Sequence, residues 1–324
     1  MIKYVFGPVA SRRLGISLGV DIIPYKTCNL DCLYCECGKT TDLTCTRQRF
    51  MEPRIILEQI KEALSQESHI EYITFSGSGE PTLNLDIGRI ISGIKEMTSI
   101  PIAVITNGTL LHLKEVREEI SQADLVLPSL DAASDDIFSR INKSHPDLKI
   151  ESIIEGLIQF REMFQGKIWL EIFIAKNIND TDDEIAKLYE AAKKINPDKI
   201  QLNSLDRPPA YDDIHPADMK TLEKIMNDWN DLPVEIIKRI QKRNEISSFS
   251  KNLENNILNT IKRRPITVED LEVMTGKNKQ ELFKYIDVLE KEQKVLHKIV
   301  EDKIYYTPFS VPPKKNEPGT SSTN

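Results

Sequence analysis

One short stretch sets the terms for the whole chain: Cys28-Asn29-Leu30-Asp31-Cys32-Leu33-Tyr34-Cys35. Three cysteines fall within eight residues, separated by three residues and then by two. The stretch follows an apolar run, Leu18 to Ile23, and leads into a polar loop. Thiolates gathered in this way make a compact soft-ligand site. A structural zinc site is closed by four protein ligands, so zinc would need Cys37 or Cys45 as the fourth. An iron–sulfur cluster held by three thiolates keeps one iron open for something else. A disulfide framework does not suit a long, Cys-poor chain with no secretory signal. Inert buried cysteines are usually scattered rather than collected in one loop.

A chain of 324 residues is enough for one large domain and a small one. Its hydrophobic content of 40% and charged content of 29% are those of an ordinary soluble globular protein. A net charge of −7 argues against binding polyanions through bulk charge. No apolar run approaches the roughly 18 residues of a membrane span, so no membrane partner is expected. Met1 to Arg13 shows no long apolar stretch of the signal-peptide kind. The expected location is the reducing cytoplasm, which suits an oxygen-sensitive centre.

Residues 1–17 read as a short, turn-rich lead, with a turn at Gly7-Pro8. Ser11-Arg12-Arg13 is either a solvated loop or a holder of anions. Strand and helix then alternate. Strands are expected over Leu18–Ile23, Ile70–Phe75, Ile102–Ile105, Leu125–Leu130, Ile168–Ile174 and Lys199–Leu202. Helices are expected over Pro53–Ser65, near Asp86–Met97 and Leu113–Ser121, between Asp135 and Phe164, after Thr181, and near Ala217–Trp229. Pro53 suits a first helical position, and Thr181 to Glu184 reads as a capping box. Short apolar strands alternating with helices mean parallel βαβ units, and six are too few for a closed eight-fold barrel. In such folds the chemistry sits at the carboxyl ends of the strands. Those ends carry, in order, the cysteine loop, Ser76-Gly77-Ser78-Gly79-Glu80-Pro81, Thr106-Asn107-Gly108, Ser129-Leu130-Asp131, Lys176-Asn177-Ile178-Asn179, and Asn203-Ser204-Leu205-Asp206.

The cysteine spacing, with Tyr34 before the third cysteine, resembles the cluster motif of the radical S-adenosylmethionine (radical SAM) superfamily. That resemblance implies an α/β fold, a partial (β/α)6 TIM-like barrel. It implies a [4Fe–4S] cluster on Cys28, Cys32 and Cys35, with SAM chelating the fourth iron. It also implies an external one-electron donor, ferredoxin or flavodoxin. Ser78-Gly79-Glu80-Pro81 resembles the Gly-Gly-Glu-Pro motif that holds the SAM amino group, with Ser78 in place of the first glycine. Ser129 and Asp131 match positions that bind the SAM ribose. Asn107 either contacts SAM or makes an Asx-turn before Gly108. Asn177, Asn179 and Asn203 hold adenosine or substrate, or cap helices. Cys37 and Cys45 lie outside the pattern and read as structural thiols. The run from Phe6 to Asp21, with Asn203-Ser204-Leu205-Asp206-Arg207-Pro208-Pro209, looks like a wyosine-synthase-like branch of the superfamily. That branch suggests tRNA modification, although no second cysteine cluster is present.

Residues 240–252 read as a linker between a barrel over 1–239 and a further module. Leu253–Ile261, a helix capped by Thr267 and stopped by Gly276, a helix opened by Asn278, and strands over Val295–Val300 and Lys303–Tyr306 resemble a winged helix-turn-helix over 253–309. Eleven basic and ten acidic residues between Lys251 and Phe309 leave no strong basic face beyond Lys262-Arg263-Arg264. Residues 310–324 read as a disordered tail. The expected activity is reductive cleavage of SAM and hydrogen-atom abstraction from a substrate, with a tRNA base first. The rivals are a small metabolite or protein side chain as substrate, or a cluster-based regulator that reads DNA.

Overall fold

The computed structural model describes residues 4–11, 13–66, 69–205, 207–237, 253–277, 279–300 and 302–309. The expected linker over 240–252 and tail over 310–324, together with Arg12, Asp206 and Asn278, lie outside the described residues.

The largest sheet has eight strands. In chain order they are β1 (Val5–Ser11), β2 (Gly15–Val20), β5 (Tyr72–Phe75), β6 (Ile102–Thr106), β7 (Leu125–Pro128), β8 (Lys167–Phe173), β9 (Lys199–Asn203) and β10 (Val234–Ile236). A separate short pair, β3 (Thr27–Cys28) and β4 (Asp42–Leu43), lies between β2 and β5 in the chain. Spatial order in the large sheet follows chain order, and every neighbouring pair from β2 onward is parallel. The six expected units are present as an open, partial barrel, with one further parallel strand at the far edge.

Helices α1 (Pro53–Gln66), α2 (Ile87–Met97), α3 (Lys114–Ile120), α4 (Asp135–Ile141), α5 (Ile150–Met163), α6 (Asp182–Ile195) and α7 (Met219–Asp228) return the chain between strands. Period-two alternation sends Ile73, Phe75, Val104, Val126, Leu170 and Ile172 against those helices. The intervening residues Ala103, Leu125 and Leu127 form a second cluster with Leu14, Ile105 and Trp169 on the other face. On that same face Thr74, Glu171 and Asn203 line a cavity. Apolar residues thus fill one end of the barrel, and polar ones are left at the other.

Two local expectations are corrected. The turn-rich lead is instead strand β1, antiparallel to β2, with Val5 opposite Val20 and Ser11 opposite Gly15. Gly7-Pro8 falls where the register shifts between Phe6 and Val9, in an edge strand that tolerates a residue with no N–H to give. The Phe6 ring lies so close to Gly19 that a Cβ there would meet it at 2.1 Å. The second correction concerns Thr181. It accepts from the Glu184 N–H at 3.3 Å, but the Glu184 carboxylate does not reach back. It accepts instead from the Ala133 and Ser134 N–H groups and the Ser134 hydroxyl. A buried carboxylate goes where most donors converge.

A third hydrophobic cluster gathers α8 (Leu253–Ile261), α9 (Val268–Thr275), α10 (Lys279–Lys291) and the antiparallel pair β11 (Val295–Val300) and β12 (Lys303–Pro308). Ile257, Ile261, Leu271, Leu282, Ile286 and Tyr306 are among its buried members. Thr267 and Asp270 make a reciprocal capping box on α9, and Gly276 ends it at φ +67°. Among the described residues no helix is long and apolar enough to cross a membrane.

Candidate active site

The cysteine loop is closed at its base by β3 pairing with β4. Inside it, the Cys35 N–H donates to the Cys32 carbonyl at 3.1 Å and the Gly38 N–H to the Cys35 carbonyl at 3.2 Å. From outside, the end of α4 braces it: Asp31 N–H donates to the Asn142 carbonyl and Leu33 N–H to the Ile141 carbonyl, both at 2.9 Å. Tyr211 N–H adds a bond to the Leu33 carbonyl at 3.2 Å. A loop with its backbone groups so committed holds its side chains in place.

The glycine-rich loop after β5 lies against the cysteine loop. Lys26 N–H donates to the Ser78 carbonyl, and Glu80 N–H to the Thr27 carbonyl. A Cβ on Gly79 would stand 2.0 Å from that Thr27 carbonyl oxygen, so only glycine allows the approach. Ser78 faces away from the cavity and donates to Asp21 Oδ2 at 3.1 Å. Glu80 lines the cavity. Its Oε1 accepts from Thr82 N–H, Thr82 Oγ1 and Thr106 Oγ1, and its Oε2 from the Asn107 N–H at 2.7 Å. Burial raises its pKa, against the pull of those donors. Capacity to accept remains on Oε2, the side that takes a single bond.

One cavity of about 370 Å³ brings the strand ends together. Cys28, Cys32, Cys35, Tyr34, Gly79, Glu80, Asn107 and Ser129 all line it. Asp131 does not. Its carboxylate accepts from the Tyr34 hydroxyl, the Asn142 amide at 2.8 Å and the Phe173 N–H at 2.9 Å, and burial lifts its pKa to about 6. Tyr34 stacks on Phe173 with ring centroids 3.9 Å apart. Asn107 makes the Asx-turn: its Oδ1 accepts from the Thr109 N–H at 3.1 Å. Asn179 is buried and ties Asp131, Phe173 and Ala175 backbone groups together, a supporting role. Asn203 lines the cavity and donates to Glu171 Oε1 at 2.8 Å. Asn177 sits in the left-handed region at φ 61°. Arg13 is not a solvated loop residue: from the turn between β1 and β2 it lines the cavity and pairs with Glu171.

Each of the three sulfurs has a side-chain N–H donor. Lys26 Nζ lies 3.2 Å from Cys35 Sγ, Asn142 Nδ2 is 3.4 Å from Cys32 Sγ, and Asn107 Nδ2 is 3.7 Å from Cys28 Sγ. Burial pushes the Cys28 thiol up to about 12 and Cys32 upward as well. Cys35 is held below the usual thiol range by a hydrogen bond from Cys37, and then by Lys26. Three soft sulfurs at one cavity wall, each met by a donor, suit an iron–sulfur cluster, whose potential responds to such bonds. Among the described residues no three Cys, His, Asp or Glu side chains converge on a single metal-ion position. Cys37 also lines the cavity, with its sulfur 2.6 Å from the Arg263 carbonyl oxygen. Cys45 is half-buried and lies apart.

Sequence reasoning missed Lys26 and Asn142 as groups that touch the sulfurs. Lys26 stands two residues before Cys28 and was legible as a neighbour. Asn142 lies 110 residues from Cys32, and its only local signal is an asparagine ending a helix. It also missed the far wall, where Thr260, Arg263 and Arg264 border the cavity. Arg207 is buried and joins Glu36 at 3.5 Å to Asp270 at 2.9 Å. It anchors the barrel to the C-terminal helices and also lines the cavity.

Residues 22–191 match the family profile described as Radical SAM superfamily. The chain is 33% identical over 307 residues to a UPF0026 protein of Methanocaldococcus jannaschii, covering 93% of this chain and 94% of that protein. It is 35% identical over 305 residues to a protein named GTPase Obg of Brachyspira hyodysenteriae, spanning 94% of this chain but only 45% of that protein. A probable dual-specificity RNA methyltransferase RlmN of Christiangramia forsetii is 25% identical over 189 residues, covering 54% of this chain and 51% of that one. In fold the chain is similar to a radical SAM methyltransferase from Sphaerobacter thermophilus, at a TM-score of 0.50 and 16% identity over 68% of this chain and 65% of the other.

Proposed function

Because the chain belongs to the radical SAM superfamily and is an enzyme of that superfamily, we propose that it carries a [4Fe–4S] cluster on Cys28, Cys32 and Cys35, binds SAM beside it, and modifies an RNA base. Held by those three sulfurs and given one electron by a ferredoxin or flavodoxin, the cluster would supply one-electron reductive cleavage of SAM, with release of methionine, for hydrogen-atom abstraction from the substrate. The observation that carries the reading is the convergence of three sulfurs and the Glu80 carboxylate on one cavity.

The roles of the chain's own residues follow from their chemistry. Glu80 Oε2 accepts from the SAM ammonium, and Gly79 lets the backbone carbonyls approach it. Ser129 offers its hydroxyl to the ribose. Asp131 acts through others: it positions Tyr34 and Asn142, and through them the wall beside Cys32. The apolar floor around Leu14 and Ile105 excludes water from the barrel end.

An RNA substrate is supported by the likeness to the RlmN protein. The C-terminal elements resemble a winged helix and would present that RNA. One observation favours a small-molecule substrate instead: the end of α8 roofs part of the cavity, which narrows the way in. The test is the 5′-deoxyadenosine yield of anaerobically reconstituted, reduced protein with SAM, with and without total small RNA. A yield that rises with RNA supports the RNA reading. A yield unmoved by RNA keeps the enzyme and sends the search to metabolites.

A further inference from the structure

We propose that Asn142 is a positioning residue that raises the reduction potential of the cluster, by giving one amide N–H to the Cys32 sulfur while Asp131 holds the amide in place. This rests on the cluster assignment above and adds a residue that no sequence motif marks.

The geometry constrains Asn142 from three sides. Its backbone N–H closes α4 on the Phe138 carbonyl at 3.0 Å, and its own carbonyl accepts from Asp31 N–H at 2.9 Å. The residue is therefore pinned between a helix end and the cysteine loop. Its side-chain Nδ2 lies 2.8 Å from Asp131 Oδ2 and 3.4 Å from Cys32 Sγ, so the two N–H groups of one amide serve a carboxylate and a sulfur. Turned over, the amide would set its oxygen against two acceptors. Asp131 cannot release it freely, being fixed by the Tyr34 hydroxyl and the Phe173 N–H.

The other end of the amide is consistent with this. Asn142 Oδ1 is buried and has no protein partner among the described residues. Asn142 borders a second cavity of about 20 Å³, roomy enough for one water. The amide is held by what its nitrogen does.

The consequence is electrostatic. Reduction adds negative charge to a cluster and its sulfurs, and an N–H aimed at a ligand sulfur stabilises that state. Of the two amides near the sulfurs, Asn142 is the closer. Asn107 likewise shares its Nδ2 between Asn29 Oδ1 at 2.6 Å and Cys28 at the longer 3.7 Å.

Asn142→Leu removes both N–H groups at similar volume. Redox titration of the reconstituted full-length chain, followed by the EPR signal of the reduced cluster, reads the effect. Iron and sulfide contents are expected to match wild type, and the reduction equilibrium to shift about tenfold toward the oxidised state, about 59 mV for one electron. A full cluster with an unmoved potential overturns the proposal and leaves the cluster assignment standing. A wild-type chain that takes up no iron overturns both. Should the variant fail to fold, an Asn107→Ser chain with 15N-labelled asparagine side chains settles the matter, since it removes the other amide beside a sulfur. A 15N coupling in pulsed EPR of the reduced cluster is the expected result, and its absence overturns the contact.

Discussion

Two walls meet at the cavity, and they are held by different means. The wall that carries the cysteines is built from the cysteine loop, from the ends of the next three strands and from the end of α4. Its bonds are mostly backbone bonds and short amide contacts, such as Glu80 N–H to Thr27 and Asp31 N–H to Asn142. The wall at Thr260, Arg263 and Arg264 is held by ionised side chains over long sequence distances. Arg207 reaches Asp270 and the Pro265 carbonyl, and Arg263 pairs with Asp21 at 3.4 Å over the Phe6 ring. Backbone bonds resist separation uniformly, whereas an ion-paired seam fails wherever one charge is removed. The first wall carries the three sulfurs and Glu80, and the second closes over them.

Substitutions that separate the two walls test that contrast. The largest effect is expected from Cys32→Ala, which removes one of three sulfurs. Iron content and SAM cleavage should be lost, while circular dichroism and thermal melting remain near those of the apo wild type. An intact cluster in that variant would remove Cys32 from the ligand set. Next comes Arg207→Ala. Stripping a buried cation from Glu36 and Asp270 should cost about 3 kcal/mol in urea denaturation and expose the 253–309 segment to protease. Iron content should not change, and a cluster lost with the arginine would mean that the walls are not independent.

Glu80→Gln is expected to be milder and to fall on the first wall alone. It exchanges a carboxylate for an amide at the ammonium site, at about 2 kcal/mol, or roughly thirtyfold in SAM affinity. Isothermal titration on the reconstituted protein measures it, and an unchanged affinity would take Glu80 out of the SAM site. The smallest effect belongs to Thr267→Ala, which opens the capping box of α9. It should lower stability by about 1 kcal/mol and leave SAM cleavage as it was. A loss of turnover there would tie the second wall to the chemistry.

The same contrast decides what the sequence made legible. The cysteine loop, the glycine turn and the cap at Thr267 are local patterns, each readable within a few residues, and the six βα units follow from period and punctuation. Strand β1 was hidden because Gly7-Pro8 carries a turn signal even at an edge-strand bulge. The Thr181 box was half right because the Glu184 carboxylate found donors about fifty residues away. Asp131 was legible as an acidic residue at a strand end, but its orientation depends on Tyr34, Asn142 and Phe173, which no short window joins. Arg207 was legible only as part of the Asn203–Pro209 run, since nothing near it in the chain reveals Glu36 and Asp270 as its partners.

The central claim is that three cysteines hold a four-iron cluster and leave one iron for SAM. It is tested most directly in the Cys37→Ala/Cys45→Ala double variant, reconstituted without oxygen, so that only Cys28, Cys32 and Cys35 remain. Iron analysis and the EPR spectrum of the reduced protein, before and after SAM, give the answer. The account predicts roughly four irons per chain, and a spectrum that changes when SAM is added. A chain that holds its metal with a spectrum indifferent to SAM, or that loses it with Cys37 and Cys45, would contradict the account.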